Sequence, residues 1–392
     1  MSKLFTPLPI RGVTLRNRLA VSPMCQYQAV DGFAADYHLI HYGRFALGGF
    51  GLVMVEATGV SPEGRITHGD LGLWNDEQVD GLARIAASIQ QHGAVPGIQL
   101  GHAGPKASLL RPWDGNSPVL ETPKFADEIR WPTFGASPVP AAEGWDAPTA
   151  LDDAGIAKVR ADFASAARRA LTAGFDVVEI HAAHGFLLNA FLSPLTNTRT
   201  DSYGGSLENR MRLPLEIARD LRAIWPDDKP LFVRISAVDG SHEGWTIEDS
   251  VTFAKALKEI GVDVIDNSSG GFGVFHYPTG YGFQVPFAAR VREGAGIKTM
   301  AVGLIVDAQQ AEAVVANGEA DIVALGHAAL NNPNFAFHAE QTLGAADPAA
   351  PFANWPTQMG WWLDHRAGRL AALGPVRVQV PVQAPAPVRE AA

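Results

Sequence analysis

Cysteine is almost absent from this chain, which has one thiol, Cys25, among its 392 residues. A single cysteine excludes a disulfide framework within the chain and an iron–sulfur cluster held by four cysteines of one chain. Blocks of lysine and arginine are also absent, and the formal net charge of −10 argues against broad nucleic-acid binding. No apolar run approaches the roughly 18 residues that cross a bilayer, and residues 1–5 do not begin a secretory signal. We therefore expect a cytoplasmic protein without a membrane partner.

Short apolar runs rich in valine and isoleucine alternate with segments of helical periodicity along most of the chain. This alternation is typical of repeated βα units. Eight such runs predict strands, at residues 18–21, 52–56, 95–100, 177–181, 231–235, 264–267, 299–302 and 322–325. Apolar residues at three- and four-residue spacing predict helices, including residues 76–92, 156–173, 207–224, 247–261 and 308–317. Eight strands with helical crossovers predict an α/β fold, a single TIM (β/α)8 barrel.

The remaining segments predict how the chain is divided. Residues 8–16 alternate around Gly12 like a small hairpin, which would cap the bottom of the barrel. Residues 104–150, rich in Pro, Trp and Gly, are too long for an ordinary loop after the third strand and predict a lid over the top face. We expect a barrel domain at residues 1–345 and a C-terminal extension at 346–392, with a short helix at 358–369 and disorder at 380–392.

Two histidines follow the fourth predicted strand, in the sequence Glu-Ile-His-Ala-Ala-His-Gly-Phe at residues 179–186. Catalytic residues of TIM barrels lie at the carboxyl ends of strands, and Gly185 lets the chain turn there. A lone histidine is more often a core residue bonded to a backbone carbonyl. The pairing of His181 with His184 favours instead a site where two imidazole N–H groups bind one carbonyl or nitro oxygen.

Several polar and glycine-rich segments, most of them at strand ends, occur in an order typical of one family. These segments are Asn17-Arg18, Ser22-Pro23-Met24-Cys25-Gln26-Tyr27, Gln99-Leu100-Gly101-His102-Ala103-Gly104, His181-Ala182-Ala183-His184-Gly185 and Asp201-Ser202-Tyr203-Gly204-Gly205-Ser206-Leu207-Glu208-Asn209-Arg210. From about residue 4 to about residue 335 the sequence resembles the Old Yellow Enzyme family of FMN-dependent ene-reductases. Cys25 and Tyr27 are similar to the xenobiotic-reductase and thermophilic-like bacterial branch of that family.

The resemblance implies a non-covalent FMN across the barrel mouth and a nicotinamide, NADPH or NADH, as hydride donor. Arg234, at the end of an apolar strand, would stabilise negative charge on the reduced flavin; an ordinary ion pair is its alternative role. Gln99 would offer its amide to the same flavin edge. The other implied FMN contacts are Ser22, Pro23, Met24, Cys25 and Ala57, with Gly303, Gly326 and His327 beside the phosphate.

On the substrate side, the resemblance implies that His181 and His184 bind the oxygen of an activated alkene while hydride passes from flavin N5 to the β-carbon, in a ping-pong reaction. Cys25 would tune the flavin and substrate binding, with simple packing as its alternative role. The other implied substrate contacts are Tyr27, Phe186 and Tyr281. The implied substrates are small molecules, namely α,β-unsaturated carbonyl compounds and nitroalkenes, with quinones and nitrate esters as further candidates.

Two residues depart from the family pattern. Phe186 replaces the tyrosine that usually donates a proton to the substrate, so Tyr27, Tyr281 or water would have to supply it. His327 replaces the arginine that usually grips the phosphate. Because histidine loses its charge as the pH rises and arginine does not, part of the FMN affinity would fade at alkaline pH.

Three further interpretations concern the oligomer, Lys106 and residues 201–210. The resemblance implies a homo-oligomer, a dimer or tetramer, in which Trp361 or Trp362 either reaches a neighbouring site or packs within its own C-terminal segment. Lys106 fits a lid residue near the cofactor, but Pro105 before it is unusual for the family, and an exposed lysine is the commoner explanation. Residues 201–210 predict a structural loop in which Ser206 caps the helix that follows.

A metal-dependent hydrolase on the same barrel is the alternative function. In that hypothesis His181 and His184 are metal ligands. Such a site needs a third histidine or carboxylate at a neighbouring strand end. Asp239, His242 and Asp266 are only loosely placed for that role.

Overall fold

The strands of the computed structural model form one closed barrel and two small accessory sheets; it describes residues 2–119, 124, 129–373 and 375. In chain order the strands are β1 (Leu8–Ile10), β2 (Val13–Leu15), β3 (Leu19–Val21), β4 (Leu52–Gly59), β5 (Val95–Gly101), β6 (Phe134–Gly135), β7 (Thr149–Ala150), β8 (Val177–Ala182), β9 (Leu231–Ser236), β10 (Val264–Ser268), β11 (Lys298–Ala301) and β12 (Ile322–Leu325). The barrel runs β3-β4-β5-β8-β9-β10-β11-β12, all parallel, and closes where β12 pairs with β3. The predicted TIM barrel is confirmed.

Helices cross between most of the barrel strands. They are α1 (Asp36–Leu47), α2 (Val79–Gln91), α3 (Asp153–Thr172), α4 (Leu187–Leu192), α5 (Leu207–Ile224), α6 (Ile247–Ile260), α7 (Val285–Ala295), α8 (Ala308–Ala316), α9 (His327–Asn331), α10 (Phe335–Thr342) and α11 (Thr357–Leu373). In α2 the buried residues Leu82, Ile85 and Ile89 recur at three- and four-residue spacing, which is the apolar face of an amphipathic helix. Ser206 accepts a hydrogen bond from the Asn209 backbone N–H and caps α5, as predicted.

The antiparallel hairpin of β1 and β2 packs against the interior of the barrel. Leu8, Ile10 and Leu15 belong to one buried cluster with Leu52 and Val177, the first residues of β4 and β8. The barrel strands are buried on both faces along most of their length, and β8 is buried at every position. The amino end of the barrel is therefore filled with apolar side chains, and polar interior side chains occur only farther along the strands.

Two features of the chain depart from the periodicity of the sequence. Helix α1 was not predicted because His38, His41 and Gly43 lie among its buried residues, which weakens its apolar pattern. The excursion at residues 104–150 contains short turns at Gly104–Lys106 and Pro112–Asp114 and the strand pair β6 and β7. Its role as a lid stays a prediction.

The chain divides into two compact units, Met1–Ala345 and Ala346–Ala392. Within the second unit, α11 (Thr357–Leu373) is longer than the predicted helix at 358–369. Trp361 and Trp362 on α11 are 52% and 63% exposed. The predicted disorder at 380–392 concerns residues outside those that the structure describes. In the described part of the chain, no helix has both the length and the apolar character needed to span a membrane.

Candidate active site

The two predicted histidines lie together where β8 ends. Their ring centroids are 5.1 Å apart, and His181 Nε2 lies 3.4 Å from His184 Nδ1. His181 Nδ1 accepts the Ala183 backbone N–H at 3.2 Å, and His184 Nε2 lies 2.7 Å from Ser268 Oγ at the end of β10. Burial lowers the pKa of both imidazoles well below 6.5. Both rings are therefore neutral at physiological pH.

The backbone around His184 adopts a tight left-handed turn. His184 has φ 62° and Gly185 has φ 79°, and the His184 N–H donates to Ser236 Oγ at 2.9 Å. A Cβ at Gly185 would lie 2.5 Å from Lys106 Nζ and 2.7 Å from the Gly271 carbonyl. Glycine is thus required at 185 both by its φ and by these neighbours.

Lys106 lies beside this turn, so the interpretation of it as an exposed lysine is wrong. Its Nζ donates to the carbonyl oxygens of His184 at 2.7 Å and Gly271 at 2.8 Å. Burial lowers the pKa of Lys106 to about 8, while Asp239 opposes that shift. The sequence carries no sign of this placement, because a lysine after Gly-Pro is compatible with either environment.

A polar layer lies below the histidines, inside the barrel. Arg234, with a 7% exposed side chain, donates from Nη1 to Ser22 Oγ at 3.0 Å and lies 3.2 Å from Asp266 Oδ2. Gln99 Nε2 donates to Glu179 Oε1 at 2.9 Å. Burial raises the pKa of Glu179 to about 8; the charge of Asp266 adds to this shift and that of Arg234 opposes it.

Glu179 and Asp266 were missed as partners of this layer. Each precedes by two residues an interior polar side chain, His181 or Ser268, on a fully buried strand. Since side chains two residues apart face the same side of a strand, that spacing is the signal that would have found them. Asp266, considered above as a metal ligand, pairs with Arg234 instead.

A cavity of about 320 Å³ opens beside Arg234 and extends to the ends of β11 and β12. Its lining residues are Ser22, Pro23, Met24, Arg234, Phe283, Val302, Gly303, Leu304, Ile305, Val306, Ala324, Gly326, His327 and Ala328. A Cβ at Gly326 would meet no protein atom nearer than Met24 Sδ at 3.6 Å. Packing within the protein therefore does not require glycine there, whereas close approach of a ligand would.

The segment after β3 carries Cys25 and Tyr27, both partly buried. Glu56 accepts the Gln26 backbone N–H at 3.0 Å and the Tyr42 hydroxyl at 2.6 Å, so it fixes this segment from behind. Burial, aided by the charges of Asp70 and Glu56, raises the pKa of the Cys25 thiol.

Tyr27 has φ 57°, and its ring meets Trp113 edge-on at 5.7 Å. Burial raises the pKa of the Tyr27 hydroxyl, so the hydroxyl keeps its proton at neutral pH.

The other predicted substrate contacts are placed differently. The Phe186 ring lies 4.8 Å from that of His181, and Ala57 lines the same small cavity as both. Tyr281, on the segment between β10 and α7, is 80% exposed and makes neither a ring contact nor a hydrogen bond with the histidine pair. The structure therefore brings Phe186 to the histidines and leaves Tyr281 on the surface.

The residues considered for a hydrolase metal site interact with other side chains and backbone groups. Asp239 accepts hydrogen bonds from the Ser193 hydroxyl and the Trp245 backbone N–H. His242 stacks on His276 with ring centroids 5.9 Å apart. Among the residues that the structure describes, no three or more His, Cys, Asp or Glu side chains form a group that could hold a metal ion.

Sequence comparison places the chain among flavin oxidoreductases. Residues 3–345 match the NADH:flavin oxidoreductase / NADH oxidase family. An NADPH dehydrogenase of Listeria innocua serovar 6a is 46% identical over 346 residues, which cover 88% of this chain and 96% of that protein. An NADPH dehydrogenase of a Geobacillus species, strain WCH70, is 46% identical over 349 residues with the same two coverages.

Solved structures agree with this assignment. Morphinone reductase superposes with a TM-score of 0.72 at 27% identity, covering 91% of this chain and 96% of its own. 2-Naphthoyl-CoA reductase superposes with a TM-score of 0.76 at 24% identity, covering 87% of this chain. This chain spans about half of that longer protein, 52%, so the likeness shows the fold alone.

The side chains at the barrel mouth fit an anionic flavin nucleotide. Arg234 brings a buried positive charge to one end of the cavity, and Gly303 and Gly326 line the other end. Backbone beside such glycines can approach a phosphate closely, and neutral histidines stand at the adjoining strand end. The chain belongs to the NADH:flavin oxidoreductase / NADH oxidase family, that is, the Old Yellow Enzyme family, and is an oxidoreductase that uses FMN and a nicotinamide.

Proposed function

We propose that this protein reduces activated C=C bonds of α,β-unsaturated carbonyl compounds and nitroalkenes with NADPH or NADH, in a ping-pong cycle. When bound, FMN would supply the hydride chemistry between the nicotinamide and the β-carbon of the alkene. The protein binds both molecules in turn, holds the substrate oxygen and delivers a proton. Residues 1–345 form the FMN-binding domain in this proposal, with the excursion at 104–150 as its lid.

Arg234 and Gln99 are the residues proposed to hold the polar edge of the flavin. Glu179 accepts one Gln99 N–H, which fixes the amide and leaves its carbonyl oxygen and its second N–H for the cofactor. Backbone groups of residues 22–25 and of Ala57 would hold the ring. Gly303, Gly326 and His327 would hold the phosphate, since they line one end of the cavity.

The protonation pattern of the histidine pair carries the proposal. The Ala183 N–H occupies His181 Nδ1, so the ring proton of neutral His181 is on Nε2. When the Ser268 hydroxyl donates to His184 Nε2, the proton of neutral His184 is on Nδ1. These two protonated nitrogens are the ones 3.4 Å apart. Both can therefore donate to one oxygen, where negative charge develops as the alkene accepts hydride.

The proton for the α-carbon is assigned to Tyr27, with water as the alternative. Phe186 has no hydroxyl, and Tyr281 is exposed away from the pair. Tyr27→Phe is expected to slow the alkene half-reaction, while Tyr281→Phe, which removes the same hydroxyl from the surface, is the matched control. If both variants react as fast as the wild type, water is the proton donor. Quinones and nitrate esters, which do not need this proton on carbon, remain proposed substrates.

Isotope transfer tests the reaction itself. Holoenzyme is given 2-cyclohexenone with NADPH that carries deuterium at both C4 positions, and the cyclohexanone formed is examined by mass spectrometry and NMR. Deuterium on the β-carbon is the expected result. NADPH oxidation without reduction of any activated alkene would overturn the proposed substrate class.

A homo-oligomer is part of the same proposal. Trp361 and Trp362 present exposed indole rings on α11, and exposed aromatic side chains are frequent in protein interfaces. A dimer or tetramer is therefore proposed, to be measured by light scattering of the holoenzyme. A strictly monomeric protein would contradict it.

A further inference from the structure

Lys106 connects loops of the candidate site, although it is not among the residues expected to contact FMN or the substrate. It ends the short turn at Gly104–Lys106, directly after β5. Its ammonium group donates to the His184 carbonyl after β8 and to the Gly271 carbonyl after β10. The same nitrogen lies 5.5 Å from the centroid of the Phe272 ring. One side chain thus connects the loops after three barrel strands.

The carbonyls that Lys106 binds belong to a strained part of the backbone. His184 has a left-handed φ of 62°, and Gly271 has φ 148°. A non-glycine residue with positive φ persists only where its surroundings hold it. A Cβ at Gly185 would lie 2.5 Å from Lys106 Cε and Nζ, so the lysine side chain lies directly against the 184–185 peptide.

The charge of Lys106 faces few other charges. Asp239 is the buried carboxylate near it, and this carboxylate raises the pKa of Lys106 against the larger lowering by burial. Lys106 and Arg234 both help to keep His184 uncharged, after burial. With the imidazoles neutral, Arg234 and, to a smaller extent, Lys106 are the positive charges that act at His184. Positive charge in a water-poor site stabilises a bound anion strongly.

We propose that Lys106 is a positioning residue, which holds His184 in its hydrogen-bonding orientation and adds positive charge behind the oxygen that the histidine pair binds. This inference rests on the proposed function, because it assumes that His181 and His184 hold a substrate oxygen. An anionic oxygen should gain more from Lys106 than a neutral one. The gain should disappear when the ammonium loses its proton.

Phenolate binding to the oxidised holoenzyme tests this without any turnover. Pentafluorophenol is ionised throughout pH 6.5–10, so its own charge stays constant while the flavin absorbance reports binding. The variants are Lys106→Met, which removes the charge, and Lys106→Arg, which keeps it at every pH. Lys255→Met, on the exposed side of α6, is the matched control.

The wild-type affinity for the phenolate should be higher than that of Lys106→Met by about tenfold near pH 7, the size expected for one partly buried charge. It should fall toward the Lys106→Met value as the pH passes about 8. Lys106→Arg should restore the affinity at high pH. The pKa values of Glu179 and Glu56 are also raised to about 8, so these carboxyl groups titrate in the same range. Because wild type and Lys106→Met both contain them, the difference in affinity between the two proteins isolates the contribution of Lys106.

Equal phenolate affinity of wild type and Lys106→Met at pH 7 would overturn the inference. If Lys106→Met does not retain FMN, Lys106→Arg is compared with the wild type. The inference would then be overturned if Lys106→Arg lost as much phenolate affinity at alkaline pH as the wild type does. Failure of the isotope-transfer experiment with normal phenolate results would refute the alkene substrates and leave the role of Lys106 intact. Successful isotope transfer with no effect of Lys106→Met would refute only the role of Lys106.

Discussion

At the scale of single residues, the chemistry of the site depends on which nitrogen of each histidine carries the proton. The Ala183 N–H fixes this for His181, whereas the partner of His184 Nε2 is the Ser268 hydroxyl, which can donate or accept. A neutral imidazole donates from one nitrogen only. In the proposed arrangement the Ser268 hydroxyl donates to Nε2, and His184 then presents its Nδ1 proton to the substrate.

Ser268→Ala is therefore expected to slow the alkene half-reaction by roughly 5- to 10-fold, the value of one hydrogen bond that orients a reacting group. The rate is measured by stopped-flow reoxidation of the reduced holoenzyme with 2-cyclohexenone. Ser165→Ala, in α3, serves as the control. A rate equal to that of the wild type would show that the orientation of His184 does not depend on Ser268.

Phe186→Tyr restores the hydroxyl that this chain lacks beside His181. We expect the alkene half-reaction to accelerate by up to about 100-fold, the lower range of general-acid catalysis. The Phe186 ring already lies 4.8 Å from the ring of His181, so the variant places a phenol ring beside the histidine pair. Phe33→Tyr, which adds a hydroxyl to a phenylalanine that is 40% exposed, is the control. No acceleration would mean that protonation does not limit the reaction.

His327 lies at the end of the cavity proposed for the phosphate, as the first residue of α9. Arginine carries a full positive charge and can bind two phosphate oxygens at once, so His327→Arg should retain FMN up to about fivefold more tightly than the wild type. The flavin left on the protein after ultrafiltration is the measurement, and equal retention by the two proteins would refute the prediction.

At the scale of elements, the barrel strands combine an apolar end with a polar end. The first residues of the strands pack against the hairpin, and the later interior residues carry Glu179, Arg234 and Asp266. Two carboxyl groups share one guanidinium in a region closed to solvent. Since burying an unpaired charge is costly, Glu179, whose pKa is raised to about 8, keeps its proton near neutral pH.

This layer predicts how the apoprotein responds to pH. The pKa of Glu179 is raised from 4.5 to about 8 on folding, so between these values the folded state binds more protons than the unfolded state. Stability therefore decreases as the pH rises toward 8. The apoprotein melting temperature should fall between pH 5.5 and 8.5, and Glu179→Gln should reduce that fall, whereas the exposed Glu259→Gln should not. An unchanged fall in Glu179→Gln would contradict the assignment.

The strands and the loops between them differ in how well the sequence predicted them. Barrel strands were predicted to within a few residues because parallel strands, buried on both faces, are continuous apolar runs. Strand β4 extends to Gly59 with a shifted register between Val55 and Ala57, which no local pattern indicates. The exposure expected for Lys106 was wrong, since its partners are carbonyl groups 78 and 165 residues away in sequence. Such contacts depend on the closed barrel and not on local composition.

At the scale of the whole molecule, the family match at residues 3–345 coincides with the first compact unit, and the unit from 346 onward lies outside it. The motifs in the strand ends predicted the family because each supplies a polar group to the same end of one barrel. The two departures, at Phe186 and His327, concern proton transfer and phosphate binding. They leave the histidine pair and Arg234 in place.

The most direct test of this account is the visible spectrum of the whole protein under anaerobic conditions, recorded alone, after NADPH and then after 2-cyclohexenone. The account predicts flavin absorption bands that bleach with NADPH and return with the enone. Bleaching without return would contradict the reduction of enones and direct the search to quinones and nitrate esters. A colourless protein that cannot take up FMN would contradict the central claim.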